Sequence, residues 1–177
     1  MDFDENNKID DMACRSQLVE DSALHGFKRP GDFLDCFSVE LSGDTRPLTD
    51  LAQIVFIELP FWVRTLLEIR DLAVSPAGLK TTKNLSKNLS FRDTLQVGEQ
   101  INFLTILSLS EQEIILGEDD KHLDFRIAFR RDDTQSQRIS LATLVRTHSW
   151  FGRTYLRSIT PLHNRIVLSR LNALRGL

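Results

Sequence analysis

Residues 151–174 read FGRTYLRSITPLHNRIVLSRLNAL, and their apolar side chains return every three or four positions, at Tyr155, Leu156, Ile159, Leu162, Ile166, Val167, Leu171 and Leu174. That spacing predicts a long amphipathic helix with one buried stripe. Pro161 lacks a backbone donor, which predicts a kink within it. Upstream the period changes to two. Ile101, Phe103, Leu107 and Leu109, then Ile114 and Leu116, then Leu123, Phe125, Ile127 and Phe129, then Ile139, Leu141 and Val145 form alternating runs, the pattern of strands buried on one face. Short polar turns at residues 110–112, 118–120 and 132–136 join them into an antiparallel meander.

Ahead of the meander, Pro30 and Gly31 punctuate the chain before a first strand over residues 32–41, with Phe33, Phe37, Val39 and Leu41 on one side. Asp35 interrupts that side. Either a bulge or an inward-facing acid accounts for it, and a bulge is the expectation. Thr49 and Asp50 offer N-cap chemistry to residues 51–57. Pro60 is placed to open a second helix whose stripe is Phe61, Trp62, Leu66, Ile69 and Ala73. Residues 79–98, rich in Lys, Asn, Ser and Thr, are too long for an ordinary connection and read as a flexible loop or a lid. Residues 1–21 carry seven acidic side chains against Lys8 and Arg15. With so few apolar anchors they predict a mobile tail that packs little, giving a tail over 1–30 and one domain over 31–177.

This element order predicts an α+β fold with helices gathered on one face of the sheet. It resembles the helix-grip fold of the START-like superfamily (SRPBCC), in which a curved antiparallel sheet wraps a long C-terminal helix and two helices follow the first strand. The stretches PFWVRTLLEIRDLAVSPAGLK, ILGEDDKHLDFRIAF and TLVRTHSWFGRTYLRSITPLHNRIVLSRL resemble the bacterial domain-of-unknown-function family 2867. The superfamily resemblance implies a cavity and carries over no catalytic residue.

Among 177 residues, 41% are hydrophobic and 27% charged, with a net charge of −3. These values exclude a disordered chain and a membrane bundle, and argue against nucleic-acid binding over the whole surface. The first residues lack the pattern of a secretory signal, and Cys14 and Cys36 form no CxxC pair, so a cytoplasmic protein with free thiols is expected. No GxGxxG, GxxxxGK[ST], GxSxG or HExxH motif is present. No metal or cofactor is therefore predicted.

Two constellations could carry chemistry. If Leu123 faces Val145 and Phe125 faces Thr143, the opposite sheet face gathers Asp120, His122, Asp124, Arg126, Arg146 and His148. There His122, Asp124 and His148 are candidates for proton transfer, a two-His-one-carboxylate metal set is the alternative, and a solvated face of ion pairs is the plain structural reading. On the helix, His163 and Arg170 share the apolar stripe and, with Tyr155, Arg126 and Arg146, are candidate ligand contacts. Structural roles compete with this: His163 bonding a buried carbonyl or water, and Arg170 snorkelling. Residues 146–177 hold six arginines and no acid, with Arg153, Arg157 and Arg175 away from the stripe. That face suits an anionic membrane or phosphate, or pairs with acids elsewhere. The expected function is binding of a small hydrophobic or amphipathic molecule. An enzyme of polyketide-cyclase or hydrolase type using His/Asp acid-base chemistry, or an interaction protein with a filled pocket, are the alternatives; a homodimer is compatible with each.

Overall fold

The computed structural model describes residues 12–41, 43–57, 91–92, 94–119, 123–132 and 138–176. The expected helix after Pro60, most of the polar stretch over 79–98, and His122 with Asp120 lie outside these residues. The described strands are β1 (Cys14–Arg15), β2 (Phe33–Glu40), β3 (Gln100–Ile101), β4 (Leu104–Leu109), β5 (Glu113–Asp119), β6 (Leu123–Asp132) and β7 (Arg138–Thr147). The described α-helices are α1 (Leu48–Ile57) and α2 (Trp150–Ala173), and Ala23–Phe27 and Leu174–Gly176 are short 3₁₀ turns. The strands form one antiparallel sheet in the order β1-β2-β7-β6-β5-β4-β3. This α+β arrangement, an open seven-stranded sheet with a long C-terminal helix, fits a helix-grip fold.

Strand alternation divides the side chains between two covered faces. On the first, Phe37, Val39, Ile106, Leu116, Phe129, Ile139 and Leu141 meet α1 and the last turns of α2, where Val167, Leu171 and the following Leu174 are buried. Phe56 of α1 packs edge-on against Phe129, ring centroids 5.8 Å apart. Helix α1 is apolar nearly all round and is buried along its length. Its one polar inward residue, Gln53, is satisfied by the Arg92 backbone through Nε2 to the carbonyl (3.0 Å) and the Arg92 N–H to Oε1 (2.7 Å). The helix begins at Leu48, so Thr49 and Asp50 lie in its first turn and do not precede it.

The second face corrects the expectation of a tail for residues 12–30; residues 1–11 lie outside the described residues. From Met12 the chain lies against the sheet: β1 pairs with β2, and Leu24 is fully buried among Cys36, Ile115, Ala128, Ala142 and Leu144. Glu113 fastens the segment by accepting from the Ser22 hydroxyl (2.5 Å) and the Ala23 N–H (2.8 Å). The small side chains of Ala128 and Ala142 leave room for one large apolar residue, Leu24, and Leu18 packs against the same cluster.

Two further expectations are corrected. The β6–β7 register pairs Leu123 with Thr147, Phe125 with Val145 and Ile127 with Thr143, two residues away from the one expected. A shift of two keeps every side chain on its face, so both registers satisfy the apolar pattern. Pairing of β2 with β7 is regular from Phe33↔Val145 to Glu40↔Arg138, with Asp35 opposite Thr143. Asp35 is therefore an inward-facing acid and no bulge is needed.

Candidate functional site

The site lies where β2 begins, β7 ends and the first half of α2 crosses them. A type II turn over residues 29–32 starts β2: the Asp32 N–H bonds the Arg29 carbonyl at 3.2 Å, with Pro30 at the second position and Gly31 at φ +87° at the third. Ser149 caps α2, its hydroxyl accepting from the Gly152 N–H at 3.1 Å. The helix continues through Pro161. Val167, Arg170 and Leu171 are buried in its last two turns, and its first half, where Gly152 is buried, overhangs an open cleft of about 580 Å³. Phe33, Val145, Leu156 and Pro161 give that cleft apolar walls, while Thr147, Arg153, Arg157, Thr160 and Asn164 supply polar groups.

Behind Asn164 is a knot of polar side chains set into the apolar face. The Asp35 side chain is 1% exposed and lies 3.5 Å from Nε2 of His163, within ion-pair reach but without hydrogen-bond geometry. The Asn164 amide, oriented with nitrogen toward the surrounding acceptors, donates to Asp35 Oδ2 and to the Thr160 carbonyl, both at 3.2 Å. Asp35 Oδ1, Thr143 Oγ1 and His163 Nε2 are all buried without a hydrogen-bond partner. Three such atoms on neighbouring residues are unusual, because each unpaired buried polar group costs about 1–3 kcal/mol.

A second polar cluster occupies the opposite sheet face, near the end of β7. His148 Nε2 lies 2.8 Å from Asp124 Oδ2. Arg146 opposes Asp124 in the ladder, yet its guanidinium turns to the N-terminal segment, donating to Asp32 (3.2 and 2.9 Å) and to the Phe27 carbonyl (2.7 Å). Burial opposes ionisation of Asp32, but the Arg146 and Arg29 hydrogen bonds outweigh it and hold the carboxyl below its ordinary range. Arg126 pairs with Asp119 (2.6 Å) and lies 5.6 Å from the Phe27 ring centroid. Gly117 makes room for it, since a Cβ there would sit 2.6 Å from Arg126 Cδ and 2.8 Å from the Phe125 carbonyl oxygen.

The structure thus brings together Asp124 with His148, and His163 with Asp35. It separates Arg126 and Arg146 from His163 by the thickness of the sheet. Arg170 is buried at the C-terminal end of α1, donating to the Ile54 (2.6 Å) and Val55 (3.2 Å) carbonyls; it caps that helix. Tyr155 is half-buried in the second turn of α2. Among the described residues, no group of three or more His, Cys, Asp or Glu side chains is placed to hold a metal, and no helix is long and apolar enough to cross a membrane. Asp35 and Asn164 escaped the sequence reading as site residues, although an acid on the apolar side of a strand was the signal for the first.

A family model described as Protein of unknown function (DUF2867) matches residues 29–169. The chain belongs to this family. In this DUF2867 member the match takes in the turn at Pro30 and Gly31, Asp35, the end of β7 and α2 through His163 and Asn164, so the cleft and the polar knot both fall within the family's span. The segment of residues 12–28 that covers the second face precedes it. No curated protein and no solved structure matches the chain significantly.

Proposed function

We propose that the protein is a bacterial START-like helix-grip domain that binds a small amphipathic molecule in the cleft between the sheet and α2. The observation that supports this reading is the cleft itself: about 580 Å³, within the range of about 300–1,000 Å³ typical of small-molecule sites, with apolar walls and a few polar groups spaced along α2. Asn164 joins the cleft to the Asp35 knot, whose unpaired atoms are costly for folding and useful for orienting a polar group. Two free cysteines, Cys14 exposed and Cys36 buried, accord with a reducing cytoplasm.

Native mass spectrometry of protein purified from its own host tests the reading. A retained small molecule, together with saturable one-to-one binding of Nile red that Leu156→Arg weakens, is the expected result. Absence of both a retained molecule and Nile red binding overturns it.

The approach of His163 to Asp35 favours a second reading, an enzyme of hydrolase or cyclase type in which the carboxylate orients the imidazole as acid or base. His148 with Asp124 offers a similar pair on the other face. A retained molecule accompanied by its hydrolysed or cyclised product would select this reading over simple binding.

A further inference from the structure

We infer that the ligand of the cleft carries an anionic headgroup, held by Arg153 and Arg157; the inference rests on the cleft reading above and adds the chemical class of the ligand. The two arginines stand one turn apart on α2, both exposed and both lining the cleft. Among the described residues neither makes an ion pair. Asp32, which lies between the cleft residues Gly31 and Phe33, is already taken up by Arg146 on the other face.

Among the described residues no acidic partner accounts for two cations at these positions. Arg153 closes the first turn of α2, where the helix dipole is positive and carboxylates are the stabilising residues, yet that turn holds no acid. The two arginines are also spaced four apart, so their like charges repel across one turn of helix. Both effects disfavour the free protein, and an anion seated between the guanidinium groups reverses both. A guanidinium presents a planar fork of donors that fits the oxygens of a carboxylate or a phosphate. The apolar walls at Phe33, Val145 and Leu156 are adjacent, so an anionic head on an alkyl or ring body matches the cleft as a whole.

The test is displacement of Nile red, a neutral probe, by decyl phosphate, decanoate and decanol, which share a chain and differ in headgroup. The wild-type protein is expected to bind at least one anion about tenfold more tightly than the alcohol. That ratio should shrink as salt is raised, because the guanidinium groups are exposed to screening. It should collapse toward one in the Arg153→Gln/Arg157→Gln double variant. Preference for decyl phosphate over decanoate identifies a phosphate head, and the reverse a carboxylate. Equal binding of alcohol and anions by the wild type overturns the inference while leaving the cleft reading intact, as does an undiminished ratio in a double variant of unchanged melting temperature. Failure of Nile red and all three amphiphiles to bind overturns the cleft reading and the inference with it.

Discussion

Replacing Asp35 by valine tests whether the buried polar knot serves the fold or the cleft. The side chain is 1% exposed, faces the apolar side of β2 opposite Thr143, and has one oxygen with no partner. Removing that orphaned oxygen returns about 1–3 kcal/mol, and the lost bond from Asn164 costs about 1 kcal/mol. His163 Nε2 already lacks a hydrogen-bond partner, so losing the carboxylate takes no hydrogen bond from its ring. Valine is close in volume and suits a strand. The net change is about 0–2 kcal/mol in favour of the variant, which at this chain length leaves the melting temperature unchanged or raises it by up to about 8 °C. In the same variant Asn164 loses its anchor, and Nile red binding should weaken by roughly threefold to tenfold. Differential scanning calorimetry beside a fluorescence titration reads both quantities. A melting temperature lowered by more than about 4 °C would show Asp35 to be a satisfied structural acid and refute the reasoning.

Three other perturbations follow from the described contacts. Leu24→Ala should cost about 2–5 kcal/mol and be visible in urea unfolding, because the leucine is fully buried against the second face; an unchanged midpoint would mean that the N-terminal segment is dispensable. Gly117→Ala should destabilise by about 1–3 kcal/mol, since the Phe125 carbonyl cannot yield to a Cβ at 2.8 Å, whereas Gly26→Ala, with nothing within 4 Å, serves as a neutral control. The folded-state pKa of Asp32 lies below its ordinary 3.8, so its stabilising contribution is complete above that value and is lost as pH falls through the lower folded value. The stability gap between the wild type and Asp32→Asn should therefore hold constant from about pH 7 to pH 5 and close on further acidification; a gap that persists unchanged at about pH 2 would contradict the pairing with Arg146.

The sequence determined the periods, and through them the elements and their faces. Runs with apolar side chains at every second position became β5, β6 and β7, and the three-and-four spacing after Ser149 became α2, because burial of a face imposes a period that local sequence must carry. What periodicity cannot carry is anything unchanged by a shift of two, and the β6–β7 register differed from expectation by that amount. The N-terminal segment shows a related limit: averaged composition hid Leu18 and Leu24, whose packing against a face of small residues holds residues 12–28 on the sheet. Asp35 was legible as an anomaly, but whether a bulge removes it or the core accepts it depended on partners far along the chain. Thr143 opposes it across β7, and His163 and Asn164 reach it from α2. Only tertiary structure brings those groups together, because a buried carboxylate is tolerated or excluded according to the donors that folding places around it.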